Sequence, residues 1–234
     1  MTSRAIARTP ARRSREADRD TCERLLDAAE TLFADRGFTN VTVREICLAA
    51  RANVAAINYH FGDKLGLYRH VLQSAIDAMR ATGDAARQAG EGQVPAEQLR
   101  RYISIFLHRL LGSGDSTVHR LIAREMNDPT PAFDALVEHG VRPRIMYLSS
   151  LVAQIIGCPV EDLRVLRAVA SIQAQMLGYL PNPIAARLGF AFTPTKANLD
   201  DVADHIATFS VAGVRAIARG RHERKSPGVA SPAR

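Results

Sequence analysis

No uninterrupted apolar run in these 234 residues approaches the ~20 residues that a membrane-spanning helix requires, so no membrane span is expected. The opening stretch, MTSRAIARTPARRSR, is basic and lacks the apolar core of a secretory signal, so the cytoplasm is the expected location. Cysteine is scarce: Cys22, Cys47 and Cys158 are odd in number, far apart and form no C-x-x-C pair. That argues against a disulfide framework and a structural zinc site, and fits a reducing compartment. Neither G-x-S-x-G, a P-loop nor G-x-G-x-x-G occurs, so nothing supports nucleophilic or nucleotide chemistry. The histidines (60, 70, 108, 119, 139, 205 and 222) show no metal-ligand spacing and read as solvated or hydrogen-bonded. No enzymatic activity, cofactor or metal is therefore expected. A hydrophobic fraction of 47% with 24% charged residues excludes wholesale disorder.

The net charge of +7 is unevenly spread. Arg4, Arg8, Arg12, Arg13 and Arg15 stand without an acid at one end, and the last twenty residues are also strongly basic, leaving a slightly acidic body. Residues 1–17 and 220–234 are expected to be disordered basic tails. Such arms either touch nucleic acid or keep the protein in solution.

Between the tails, helical periodicity dominates and no segment reads as an alternating strand, which predicts an all-α chain. Cys22, Leu25, Leu26, Ala29, Leu32 and Phe33 fall on one helix face, ended by Gly37. Thr42 and Glu45 have the spacing of a capping box, Asn53 can cap a short helix 54–61, and Gly62 breaks it. A long helix is predicted from Asp63 to about Arg80. The Gly-rich stretch 82–95 reads as a loop. Helices are predicted over 96–111, 116–127, 131–156 (kinked at Pro143), 161–179 and 198–219, with 180–197 as a proline-rich connection.

Residues 42–61 have the organisation of a helix-turn-helix: two short helices joined by a tight turn, with Val43, Ile46, Ala50, Val54, Ile57 and Phe61 packing them together. Short helices are marginal alone, so the preceding helix must buttress them. The second then presents Val54, Ala55, Asn58 and Tyr59; small apolar groups suit thymine methyls, and Asn can read adenine in a major groove. Thr42, His60 and Lys64 lie within reach of phosphates. With Val43, Arg44, Asn53 and Ala56 on the same elements, these form the candidate DNA-binding set. The competing reading is an ordinary helical hairpin inside a core.

The segment LLDAAETLFADRGFTNVTVREICLAARANVAAINYHFGDKLGLYRHVL resembles the DNA-binding domain of TetR/AcrR-type transcriptional repressors over residues 18–78. The family pattern is matched by Asn53, Ile57, Tyr59, His60, Phe61, Gly62 and Lys64. The resemblance implies phosphate contacts from Tyr59, His60 and Lys64. Arg51 stands where the family usually has a turn glycine, and Ala56 replaces a common Thr. REMNDPTPAFDALVEHGVRP and SIQAQMLGYL resemble a CecR-like subgroup, implying an effector-binding and dimerising body over 82–219.

The resemblance implies a ligand-responsive homodimer on a palindromic double-stranded operator, paired through helices 161–179 and 198–219. Val165, Val169, Ile172, Met176 and Tyr179 line one of these helices, and Ile206, Phe209, Val211, Val214 and Ile217 the other. The same stripes could instead close an intramolecular bundle. Met126, Phe133, Met146, Tyr147, Gln173 and Met176 are candidates for lining a cavity for an unknown small-molecule effector, or for plain core. His108, Arg124 and Glu125 follow on the same logic. The rival class is a helical carrier or enzyme with an incidental helix-turn-helix.

Overall fold

A computed structural model describes residues 10–112, 117–181, 184, 187–189, 194, 195 and 197–223, with 10–17 and 220–223 as backbone alone. Among these residues every regular element is helical, and no helix is long and apolar enough to cross a membrane. The first helix, α1 (Pro10–Arg36), begins at Pro10 rather than at 18, which corrects the expectation of a disordered arm up to residue 17. Proline suits a first helical position, which needs no intrahelical amide, and the Ala, Arg and Glu that follow favour helix. Residues 1–9 and 224–234 lie outside the described residues, as does most of the 180–197 connection.

After α2 (Val43–Ala50) and α3 (Val54–Phe61), helix α4 (Lys64–Gly90) runs straight through the segment expected to be a loop. Glycine costs a helix interior about 1 kcal/mol, but Ala85, Ala86, Arg87, Gln88 and Ala89 are good helix formers. Ala86 is buried, and Asp84 pairs with Arg87 one turn on at 3.1 Å. Only 91–94 remain to connect to α5 (Pro95–Leu111).

Then come α6 (Thr117–Asn127) and α7 (Phe133–Leu136). The kink expected at Pro143 takes the form of a π-helical segment, Val137–Val141, ahead of α8 (Arg142–Ile156). Pro143 thereby falls in the first turn of a new helix, where its missing amide is not required. Two further helices, α9 (Leu163–Leu177) and α10 (Leu199–Glu223), complete the described chain.

The chain forms two compact units, and residues 117–137 belong to the first, with 10–78, rather than to the body where sequence places them. The reason is packing. Leu121 and Ala132 join the core of Leu25, Phe33, Ile46, Ile57, Leu67 and Tyr68, and the buried Tyr68 hydroxyl donates to Glu125 at 2.5 Å. Thr39 donates to Asp128 at 3.1 Å, and Arg124 donates to the Asp35 carbonyl. Three rings, Phe33, Phe38 and Tyr68, meet at centroid distances of 4.9–5.9 Å in the middle.

The second unit packs α5, α8, α9 and α10 around Leu99, Ile103, Leu107, Leu148 and Val152. Here the expected dimer stripes are corrected. Val165, Val169, Ile172, Met176, Ile206, Val211 and Val214 are all buried within this unit, with Tyr179 and Ile217 packed at its margin. They close an intramolecular bundle because α5 and α8 supply apolar faces to receive them. Phe209 alone of the named residues is exposed, at 62%.

Candidate nucleic-acid interface

Two caps and a strained turn set the angle between α2 and α3. The Thr42 hydroxyl accepts from the Glu45 amide at 3.3 Å, and Glu45 accepts from the Thr42 amide at 2.8 Å. Arg36, at the end of α1, adds an ion pair to Glu45 at 2.7 Å. These bonds hold the Glu45 carboxyl down at about 2, the Thr42 hydroxyl contributing most. A depressed carboxyl adds stability above its unfolded pKa and loses it as pH falls through the folded one. Glu45→Gln is therefore expected to lower stability by a constant amount above about pH 4.5 and to flatten the acid-unfolding profile between about pH 4.5 and 2, where the two proteins converge, read by circular dichroism.

At the other end of α2, Arg51 takes the left-handed conformation, φ 51°, the one described non-glycine residue to do so. Its amide and that of Ala52 reach back to the Leu48 and Cys47 carbonyls at 3.3 and 2.9 Å, closing the helix. Arg24 of α1 donates to the Ala50 carbonyl at 3.2 Å. The turn thus has the geometry that glycine adopts without penalty, whereas a Cβ there costs about 1–2 kcal/mol. Arg51→Gly is expected to raise the urea midpoint by the equivalent of about 1 kcal/mol, and a lowered midpoint would show that the arginine side chain outweighs the strain.

Asn53 caps α3, its side-chain oxygen accepting from the Ala56 amide at 2.8 Å. Ile57 and Phe61 are buried beneath, while Val54, Ala55, Asn58 and Tyr59 face outward, Tyr59 at 77% exposure. Arg44 is exposed on α2. Leu48, 82% exposed one turn after it, was not among the sequence candidates, because its spacing does not distinguish it from the core residues beside it. Gly62, φ 79°, ends α3, and Asp63 caps α4. Gly66 was missed as well: a Cβ there would stand 1.9 Å from the Phe61 carbonyl oxygen, so only glycine lets α4 start so close to the end of α3.

Several candidates are placed differently from the sequence reading. Val43 and Ala56 are half-buried against the core. His60 lies about 200° round the helix from Asn58, and it turns inward. Its Nε2 is 3.3 Å from an Asp18 carboxylate oxygen of α1, and its ring meets those of Tyr59 and Phe61. The Thr42 hydroxyl and the Asn53 side-chain oxygen are engaged in caps. Lys64 lays its amine 4.3 Å from the Phe38 ring centre, and desolvation lowers its pKa against the opposing charge of Glu45.

Residues 25–71 match the family described as bacterial regulatory proteins, tetR family, and 95–214, just over half the chain, match the C-terminal domain of the HTH-type transcriptional dual regulator CecR. The chain belongs to the TetR family. It is a DNA-binding transcriptional regulator with a CecR-type C-terminal domain. CecR of Shigella flexneri is 28% identical over 166 residues, covering 67% of this chain and 74% of that protein. Bacillus subtilis YttP, a probable HTH-type regulator, is 25% identical, covering 53% and 66%. Among solved structures, a TetR-like regulator from Rhodococcus sp. RHA1 shares the fold with a TM-score of 0.57 and 22% identity, covering 83% of this chain and 95% of that one.

The effector candidates of this TetR-family chain are dispersed. Met126 and Phe133 fall in the N-terminal unit, and the other four in the second. Met126 and Met146 are exposed, at 71% and 61%, while Met176 is core. Tyr147 and Gln173 are half-buried, and the Gln173 side-chain oxygen is buried without a partner. Glu125 is buried in the N-terminal unit with Tyr68, Arg124 is exposed, and His108 pairs with Asp200 at 3.1 Å. Apolar spacing alone carries no information about which unit a helix joins.

Proposed function

We propose that the chain is a cytoplasmic, ligand-responsive homodimeric repressor, without catalytic activity, that reads a palindromic operator through residues 53–61 of each copy. One observation carries the reading. On α3 the apolar residues Ile57 and Phe61 are locked into the core, while Val54, Ala55, Asn58 and Tyr59 share an outward face. That face offers small apolar groups, one bidentate amide and one phenol, which suits base edges flanked by phosphates. Arg44 and the start of α4 extend it, and Lys64 lies at the latter.

Two-fold operator symmetry needs a two-fold protein. The outer face of α9 presents Leu163, Leu166, Ala170, Ala174 and Leu177, and that of α10 presents Phe209, Ala212, Gly213 and Ala216, all exposed. Both stripes recur at helical spacing, and their small residues allow close approach of a second copy. An effector in the C-terminal unit would act by its different affinity for two half-site spacings, for which ~1–3 kcal/mol of coupling suffices.

Selecting bound sequences from random DNA with the full-length chain tests the reading and supplies an operator. On it, Asn58→Ala is expected to cost ~1–3 kcal/mol with little effect on unrelated DNA. Lys64→Ala should weaken all sequences alike and reduce the salt slope by about one unit. Failure to enrich any sequence, or unchanged affinity in both variants, would remove α3 and the α4 start from the DNA.

A further inference from the structure

Within the C-terminal unit, residues of α4 and of the segment around the start of α8 line a partly open cavity of about 220 Å³. Its charged lining is Arg80, Arg87, Arg144 and Asp84, with Met79 and Pro143 among the apolar walls. Asp84 is already held by Arg87, at 3.1 Å, so the cavity carries an excess of positive charge.

Arg144 is the unusual member. Its guanidinium lies over the Phe106 ring at 4.7 Å, its Nε is buried without a hydrogen-bond partner, and among the described residues no acid pairs with it. Burial lowers its pKa. Beside it the Tyr102 hydroxyl is also buried and unpartnered, and burial pushes its pKa up to about 12 despite the nearby arginine. Tyr102 stacks on Phe106 at 6.1 Å and meets Tyr147 at 6.0 Å, and Arg87 covers Tyr147 at 4.8 Å. Two cations thus rest on one aromatic cluster with a single, engaged acid between them. A half-buried guanidinium with a buried, unpartnered Nε and no acid is unfavourable unless something else supplies the anion. Its planar fork of donors matches a carboxylate in two parallel bonds. The volume is below the ~300–1,000 Å³ of pockets for drug-sized ligands, which excludes a nucleotide, and the Met79 and Pro143 walls suit a small apolar body.

We propose that this cavity binds a compact organic carboxylate, with Arg144 taking the carboxylate and Arg87 and Arg80 supplying the surrounding positive field. The inference rests on the reading that this unit takes an effector. The probes are benzoate, phenylacetate and hexanoate, each beside its neutral amide, titrated calorimetrically into the full-length protein without DNA at constant ionic strength. At least one carboxylate should bind at least tenfold more tightly than its amide and than inorganic phosphate. Arg144→Met should abolish that preference while raising the unfolding midpoint of the free protein, since it removes a half-buried cation that no acid pairs with. Arg87→Gln, at an exposed position, should leave the midpoint unchanged and weaken the carboxylate several-fold.

Absence of binding by all three acids at millimolar concentration, equal affinity for acid and amide, or wild-type binding in both variants would overturn the proposal. A carboxylate that binds without changing operator affinity would leave the site standing and remove the effector reading instead.

Discussion

Leu166→Asp combined with Phe209→Asp is expected to give a folded monomer whose operator affinity falls by about 10²–10⁴-fold, the advantage lost when two linked half-site contacts become one. Both side chains are already in water, at 51% and 62% exposure, so the substitutions should alter the stability of the single chain little. Val214→Asp supplies the contrast. Val214 is only 2% exposed within its own unit, and a carboxylate there has no partner. That variant should lose helicity rather than dissociate cleanly. Sedimentation and circular dichroism together decide the matter. A persistent dimer in the double variant would move the interface off the outer faces of α9 and α10.

The contrast between these two positions also shows what the sequence made legible. Both helices have two apolar sides, and periodicity locates each side without telling which meets the protein's own core. The sequence reading takes Val165, Val169, Ile172 and Met176 as the stripe for a partner and passes over Leu163, Leu166 and Leu177, which also lie at helical spacing. The choice is made by α5 and α8, distant in sequence, which fill the space over one side only. The helix-turn-helix is the opposite case. Thr42 with Glu45, Asn53 with Ala56, and Gly62 act over three or four residues, so spacing alone located α2, the turn and α3. What spacing missed there depends on neighbours in space: the inward turn of His60 toward Asp18, and the approach that demands Gly66. Residues 82–90 differ from expectation for another reason: their glycines suggest a break, whereas an alanine-rich turn with a buried Ala86 carries the helix across it.

Glu125→Leu is expected to be among the most destabilising single changes in the N-terminal unit. The carboxylate is 1% exposed and accepts from three donors: the Tyr68 hydroxyl at 2.5 Å, and the Thr130 amide and hydroxyl, both at 3.2 Å. Tyr68 is as deeply buried, and burial together with Glu125 raises its pKa, so it remains a donor. Removing the acceptor leaves the phenol without a partner, and a buried unsatisfied group of this kind costs about 1–3 kcal/mol. With the Thr130 amide also released, a total loss of about 2–4 kcal/mol follows. Tyr68→Phe alone leaves Glu125 its two Thr130 bonds and should cost less. Made together, the two substitutions remove donor and acceptor at once, so the double variant should recover part of the loss, with a coupling of about 0.5–3 kcal/mol. Hydrogen exchange should show α6 amides opening first in Glu125→Leu, because Leu121 and Ala132 are then left to hold 117–137 with fewer polar ties. Strictly additive losses in urea unfolding would mean that Tyr68 and Glu125 stabilise the unit independently of one another.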